Sequence, residues 1–264
     1  MNAFGYHSPA RVADAAALRQ RHADSTYIAG GQSLLGAMKL GLAAPSDLID
    51  LGNLPGLSGI TVQGDVVRIG AMATHATVAA STDVKKLIPA LAQLADGIGD
   101  PAVRTRGTLG GSLANNDPAA CYPAAVLALS ATVHTERRDI DGDSFFLGLY
   151  ETALQPGELI TGVSFKVPQR AAYVKFKQPA SRFALVGVFV SQGAQGTRVA
   201  VTGAGACAFR ASALETALAK DWSTKAILDI SVSADGLNTD LHASAAYRAH
   251  LIGVLARRAV AQAG

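Results

Sequence analysis

Cysteine is nearly absent from this sequence. Of 264 residues only Cys121 and Cys207 are cysteines, too few for a zinc centre or an iron–sulfur cluster, each of which takes about four ligands. They allow one disulfide or two free thiols, the second fitting a reducing compartment. Charge is sparse as well: Asp, Glu, Lys and Arg make up 16% of the chain against 49% hydrophobic residues. The net charge is +3 with no long basic run, which argues against nucleic-acid binding, because phosphate-backbone contacts need clustered Lys and Arg. No stretch approaches the roughly 18 apolar residues of a membrane span. Met1 to Ala10 has no basic segment leading into an apolar run, so no signal peptide is expected and the cytoplasm is the expected compartment. What remains is enough apolar content for a substantial core, and a surface poor enough in charge to fit a sizeable protein partner.

Glycine, by contrast, is concentrated. Arg104-Thr105-Arg106-Gly107-Thr108-Leu109-Gly110-Gly111-Ser112 packs three glycines, two arginines and several hydroxyls together, and runs on through Asn115-Asn116-Asp117-Pro118. A second pair stands upstream in Ala29-Gly30-Gly31-Gln32-Ser33. A flavin or nicotinamide dinucleotide carries a pyrophosphate, and burying it takes N–H donors on a backbone that glycine lets approach closely. Two separated glycine pairs flanked by Ser33, Thr108 and Ser112 meet that need if the loops converge. The plainer alternatives are a turn at Gly30-Gly31 and relief of crowding at Gly107 to Gly111.

The coarse pattern places these loops. Ser8-Pro9 reads as a cap opening a helix that runs to about His22. Thr26 to Ile28 is a short strand ending at Gly30-Gly31, with Ser33-Leu34-Leu35 opening a helix. Leu48 to Leu51 is another strand, and Gly52 to Gly59 a Pro/Gly-rich link. Ile60 to Val62 and Val66 to Ile69 form a hairpin around Gly64-Asp65. Thr74 caps a short helix to Ala80, and Pro89 to Ala95 is helical. Tyr122-Pro123 leads into a helix ending near Ser130, and Thr132 to Thr135 and Leu159 to Val167 are strands. Beyond Pro168 to Arg170 come three β-prone runs, Ala171 to Gln178, Leu185 to Ser191 and Thr197 to Gly203. Two helices follow, near Ala211 to Lys220 and Ser244 to Gln262, an α+β order.

Other phosphate and catalytic motifs fail. Gly31 and Gly36 have P-loop spacing, but Ala37 stands where lysine is required. Gly203-Ala204-Gly205-Ala206-Cys207-Ala208 matches G-x-G-x-x-A without the acidic residue some 20 positions on, and reads as a turn into a helix. There is no G-x-S-x-G elbow. The histidines lack metal-ligand spacing, with His75 in a capping or packing position. Asp139, Asp141 and Asp143 around Gly142 lack the later glutamate of a calcium loop and read as a solvated turn. In Phe176-Lys177-Gln178-Pro179-Ala180-Ser181-Arg182-Phe183-Ala184, Lys177 suits the N1/O2 edge of a flavin, where a cation stabilises the reduced anion. An exposed strand lysine fits it equally well.

Three blocks together resemble the FAD-binding (medium) subunit of the molybdenum hydroxylases, the family of carbon monoxide dehydrogenase and xanthine dehydrogenase. They are Ala29 to Leu35 with Met38-Lys39-Leu40 and Leu48 to Leu51, then Arg104 to Ser112 through Asn116-Asp117-Pro118-Ala119-Ala120, then Lys175-Phe176-Lys177 with Ser181 to Ala184. The resemblance implies an α+β fold: a vanillyl-alcohol-oxidase-like (PCMH-type) FAD-binding domain at 1–168, with subdomains at about 1–55 and 56–168. A small α+β domain like the carbon monoxide dehydrogenase flavoprotein C-terminus then occupies 169–264. It implies that Ala29, Gly30, Gly31, Gln32, Ser33 and Leu34 contact FAD around the pyrophosphate, together with Thr108, Leu109, Gly110, Gly111 and Ser112. Ala71 and Thr74 are implied beside them. Asp117 and position 121 lie towards the adenosine ribose, Ile98, Leu159 and Ile160 line apolar walls, and Lys177 and Phe183 approach the isoalloxazine. Gln32 replaces a common histidine of the family and Cys121 a common aspartate. With no His or Cys in the first loop, non-covalent FAD is expected. The resemblance also accounts for the missing cysteines. Molybdopterin belongs to a large partner subunit and [2Fe–2S] clusters to a small one, in a dimer of heterotrimers, and this chain relays electrons to an external acceptor. The alternative is a stand-alone flavin oxidase of the vanillyl-alcohol oxidase type.

Overall fold

The computed structural model describes residues 1–264, and the chain builds three main sheets in sequence, with a two-stranded one beside the second. The first is parallel. Strands β1 (Gly5–His7), β2 (Thr26–Ile28) and β3 (Asp47–Asp50) lie in the order β1-β3-β2. Helices α1 (Val12–Arg21) and α2 (Leu34–Lys39) are the crossovers that parallel pairing demands. Helix α1 starts at Val12, not at Pro9. The Ser8 hydroxyl accepts a hydrogen bond from Asn53 Nδ2 (2.9 Å) instead of capping the helix, and so ties the chain to the Pro/Gly-rich link.

The second unit is a five-stranded antiparallel sheet with helices inserted between its strands. It holds β4 (Ile60–Gln63), β5 (Val66–Gly70), then α3 (His75–Ala80), α4 (Thr82–Leu87), α5 (Pro89–Asp96), α6 (Pro101–Arg106), α7 (Leu109–Asn115) and α8 (Tyr122–Ala128). Strands β6 (Thr132–Thr135) and β7 (Asp139–Asp141), a 3-10 turn at Gly142–Ser144, a small hairpin β8 (Phe146–Gly148) and β9 (Glu151–Thr152), and β10 (Ile160–Lys166) follow. The sheet order is β4-β5-β10-β6-β7. The aspartates around Gly142 are exposed, as a solvated turn requires, and Asp143 is also paired. The Arg198 guanidinium donates to both Asp143 oxygens at 2.8 and 2.9 Å, and Arg210 adds a bond at 3.2 Å.

The third sheet, β11 (Arg170–Lys177), β12 (Ala184–Gly193), β13 (Gly196–Thr202) and β14 (Phe209–Arg210), is antiparallel in sequence order. Helices α9 (Ser212–Lys220) and α10 (Ala245–Ala263) complete the chain. The short β14 stands between the Gly203-Ala208 turn and α9. Strand β12 is buried on both faces, as its unbroken apolar run requires. Val186, Val188 and Val190 pack with Leu251 and Leu255 of α10, while Phe189 joins the core that holds Tyr122 and Phe165. Arg248, buried within α10, donates to the carbonyls of Leu185 (2.6 Å) and Gly203 (2.7 Å) and to Asp240 (2.6 Å). Three hydrophobic clusters result, one under each sheet. Leu159 belongs to the cluster of the parallel sheet and the adjacent Ile160 to that of the five-stranded sheet, so consecutive side chains join the two.

Candidate FAD-binding site

Backbone contact brings the two glycine loops together. A Cβ on Gly30 would stand 2.0 Å from the carbonyl oxygen of Arg106 and 2.9 Å from Cα of Gly107, far inside any real carbon contact. One on Gly111 would stand 3.7 Å from the Ala29 methyl. The first loop leaves the C-terminal end of β2, where open α/β units bind ligands. Gly31 takes φ 72°, a left-handed conformation that glycine adopts without strain. The N–H groups of Gly30, Gly31, Gln32, Ser33 and Leu34 donate to no acceptor in the chain. Gln32 turns its side-chain amide back on the Gly30 carbonyl at 3.3 Å.

The second loop differs. Thr108 caps α7 by accepting from Gly111 N–H (3.1 Å). The Leu109 N–H donates to Ala73 O (3.0 Å), Gly110 N–H to Ala71 O (2.8 Å) and Ser112 N–H to Thr108 O (3.0 Å). Only the Thr108 N–H donates to nothing within the stretch. The expected row of donors at 108–112 is therefore mostly consumed in fixing α7 to the end of β5. Gly110 packs so tightly there that a Cβ would meet the Ala71 methyl at 2.6 Å. What this loop leaves without an acceptor is the N–H of the buried Thr108 and the Thr108 and Ser112 hydroxyl hydrogens. Ala71 holds the loop, and Thr74 caps α3 through Thr77 N–H (3.1 Å) and bridges antiparallel to Thr108.

The far end of the motif folds under the third sheet. Asp117 Oδ1 accepts from Ala119 N–H (2.8 Å), while Oδ2 lies 3.5 Å from the Tyr150 hydroxyl. The Pro118 carbonyl accepts from Gly203 N–H (2.7 Å) and the Thr202 hydroxyl (2.9 Å). The G-x-G-x-x-A stretch is thus a brace for the glycine motif. Cys121 is turned inward, its thiol buried and 3.3 Å from Lys175 Nζ.

Lys175, rather than Lys177, is the lysine that organises the third block. Its ammonium donates to Gly97 O (2.8 Å) and Arg182 O (2.9 Å). Arg104 and Arg182 both reach the Gly99 carbonyl, at 3.2 and 3.3 Å. These bonds gather the Ile98 segment and the loop after β11 into one wall. The register shifts between Phe176 and Lys177, where β12 carries the extra residue Leu185, and of the two lysines only Lys175 donates into this wall. Lys177 is exposed, and Phe183 is 51% exposed on the same loop. Ile98 is half-buried against the core that holds the buried Ile160, whereas Leu159 is buried in the cluster of the parallel sheet. Sequence reasoning included Lys175 and Arg182 in a matched block and read Gly203 as a turn, but gave none of them, nor Thr202, this bracing role. Only the left-handed backbone at Arg182, φ 61°, marks that loop as special, and no sequence signal carried it.

His75 lies under the junction. A Cβ on Gly107 would meet its Nε2 at 2.5 Å, and its ring packs at 5.4 Å on Tyr122. Burial, with the Arg104 charge nearby, lowers its pKa from 6.5 to about 4. Between those values the unfolded chain binds the proton and the folded chain does not. This contribution to stability is whole above about pH 6.5 and falls towards pH 4, by up to ~1.4 kcal/mol per pH unit. Urea midpoints measured from pH 7 to 4.5 should fall less steeply in His75→Phe than in the wild type. Parallel curves would remove His75 from the acid response.

With this geometry in place, the chain can be set beside known proteins. The family pattern described as the FAD binding domain in molybdopterin dehydrogenase matches residues 2–169. The nicotine 6-hydroxylase medium subunit of Paenarthrobacter nicotinovorans is 38% identical, over 99% of this chain and 98% of its own. The carbon monoxide dehydrogenase medium chain of Hydrogenophaga pseudoflava is 35% identical, over 97% and 96%. Among solved structures, carbon monoxide dehydrogenase from Hydrogenophaga pseudoflava is similar with a TM-score of 0.87 at 32% identity, covering 99% of this chain and 97% of that one. Quinoline 2-oxidoreductase from Pseudomonas putida 86 gives 0.89 at 29% identity, with the same coverage.

Proposed function

This chain belongs to the family of FAD-binding domains of molybdopterin dehydrogenases, and from that premise we propose that it is the electron-relaying FAD subunit of a heteromeric molybdenum hydroxylase. The large partner holds molybdopterin and the small one [2Fe–2S] clusters, and the complex is a dimer of heterotrimers in the cytoplasm. The supporting relatives are medium subunits matched end to end, and no helix here is long and apolar enough to cross a membrane. In this reading residues 1–168 are the FAD domain, with subdomains at about 1–55 and 56–168, and 169–264 the C-terminal domain. The cluster that joins Ala172, Val186 and Leu251 lies wholly within 169–264 and favours that boundary, while the cluster of the five-stranded sheet crosses it through Tyr173 and Phe189.

The observation that carries the reading is the contact of Gly30 with Arg106 and Gly107, beside five N–H groups that donate to nothing in the chain. The donors of residues 30–34 hold the pyrophosphate, with Ala29 at their base and the Thr108 and Ser112 hydroxyls opposite. Leu109, Gly110, Gly111, Ala71 and Thr74 keep the second loop in place. Asp117, with one carboxylate oxygen beside Tyr150, is the ribose-side acceptor, since Cys121 faces inward. Ile98 and Phe183 form the apolar wall at the ring, Leu159 and Ile160 support it from behind, and Lys177 supplies a cation at its edge. When bound, FAD supplies the exchange of single electrons and of pairs between partner clusters and an outside acceptor.

Co-expression of the chain with the subunits encoded beside it tests this. A yellow flavoprotein complex is expected, with non-covalent FAD released by acid. Colourless protein would reject the reading, and reduction of the isolated FAD-loaded chain by an alcohol or amine would favour a stand-alone oxidase. Lys177→Met should lower the flavin potential by about 30–60 mV, the equivalent of ~1.4 kcal/mol for a two- or one-electron couple. An unchanged potential removes Lys177 from the ring's edge.

A further inference from the structure

At the end of the parallel sheet away from the glycine loops, three side chains from three elements converge. His7 closes β1, His22 follows the last turn of α1, and Asp47 opens β3. His7 Nε2 lies 2.8 Å from Asp47 Oδ1, and His22 Nδ1 lies 3.2 Å from Asp47 Oδ2. One ligand atom from each residue falls within 4.8 Å of the other two. The edge of a tetrahedral site with metal–ligand bonds of 2.0–2.1 Å is roughly 3.3 Å, close to the two histidine–aspartate separations, so side-chain shifts would seat an ion here. The side chains are free to make them, being 30%, 40% and 14% exposed for His7, His22 and Asp47.

The surroundings are shaped for the carboxylate. Gly5 pairs with Asp47 in the sheet, and a Cβ there would stand 2.1 Å from Oδ1, so only glycine leaves Asp47 its place. The Ser46 hydroxyl donates to Oδ2 at 2.7 Å, the outer-shell support that orients metal-binding carboxylates. The two imidazole rings stand 5.3 Å apart. Two imidazoles and one carboxylate suit zinc and its neighbours better than calcium or magnesium, which take oxygen ligands.

We propose that His7, His22 and Asp47 form a binding site for a divalent ion of the zinc type, which clamps the N-terminal strand and the end of α1 to β3. The site is separate from the FAD loops: Gly30 follows the C-terminal end of β2, while Asp47 is the first residue of the parallel β3. Failure here would leave the FAD reading untouched.

The test uses the full chain, without an affinity tag, titrated with Zn2+ alone and separately with Co2+. One equivalent of Zn2+ should bind, Co2+ should give the visible bands of a four-coordinate site, and Tm should rise with Zn2+ concentration. Loss of an outer-shell partner alone weakens metal sites about 10–100-fold, so His22→Gln should weaken Zn2+ by at least that much. His7→Gln provides a second variant should the first misfold. His134→Gln, which breaks another histidine–aspartate pair, should bind Zn2+ as the wild type does. Absence of stoichiometric binding, or binding unchanged in both His22→Gln and His7→Gln, would overturn the proposal and leave the cluster a proton-sharing ion pair.

Discussion

Gly30→Ala is expected to yield a folded protein that no longer holds FAD. The new methyl would stand 2.0 Å from the Arg106 carbonyl oxygen and 2.7 Å from its carbon. Both are backbone atoms at the end of α6, where no rotamer change can make room. The two loops must part by more than an ångström, and overpacking of this kind costs about 1–3 kcal/mol of stability. The larger loss falls on the cofactor, because the N–H groups of residues 30–34 and the hydroxyls of Thr108 and Ser112 no longer face one another. FAD affinity should drop by at least ~100-fold, the equivalent of about 2.7 kcal/mol. Gly36→Ala is the matched control. It lies on the exposed side of α2 with nothing within 4 Å of its Cβ position, so it should bind FAD normally and gain up to ~1 kcal/mol from helix propensity. Flavin fluorescence titration of the two variants separates the cases. Equal affinities would show that the close approach of the loops has no bearing on FAD.

Why Gly30 was legible and Lys175 was not follows from the range of the forces involved. Local chemistry marked the first loop: a β-prone run at Thr26 to Ile28, two glycines, then a helix. The strand at Thr132–Thr135 and the helix start at Pro89 were readable for the same reason, since β-branched residues and N-terminal proline act on their own backbone. Helix α6 carried an equally local signal that went unread, Asp100 accepting from Val103 N–H at 2.9 Å before Pro101 at the first helical position. The choice between Lys175 and Lys177 was different. Alternation treats the two alike, and only the distant acceptors, Gly97 O and Arg182 O, single out Lys175. The brace of Gly203 and Thr202 on Pro118 spans over 80 residues of sequence, and a turn motif carries no trace of its distant acceptor. The same holds for the second loop. Its glycines and hydroxyls announced close packing, but whether their N–H groups point at a ligand or at Ala71 and Ala73 depends on where β5 ends.

The end of the glycine motif should be the most costly point to disturb. Asn116 is fully buried in a left-handed conformation, φ 42° and ψ 48°, as the C-cap of α7. Its Nδ2 donates to the carbonyls of Gly148 (2.9 Å) and Glu151 (2.7 Å), so a single amide closes the β8–β9 hairpin onto the motif. Asn116→Ala leaves both carbonyls without that donor, at about 1–3 kcal/mol of unmet hydrogen bonding. It also holds a Cβ-bearing residue in left-handed backbone, at about 1–2 kcal/mol. Together the loss is ~2–5 kcal/mol, a large part of the 5–15 kcal/mol that typically separates folded from unfolded domains. Asn116→Gly keeps the backbone and loses only the bonds, so it should be more stable than Asn116→Ala by about 1–2 kcal/mol. The hairpin carries Tyr150, whose hydroxyl is near Asp117 Oδ2. Both variants should therefore speed amide exchange across β8 and β9 and weaken FAD more than flavin mononucleotide, which lacks the adenylate, because the loosened contact lies on the ribose side. Urea unfolding sets the order of the three proteins. If Asn116→Ala matched Asn116→Gly, left-handed strain would play no part, and if both matched the wild type the amide would not be what joins motif and hairpin.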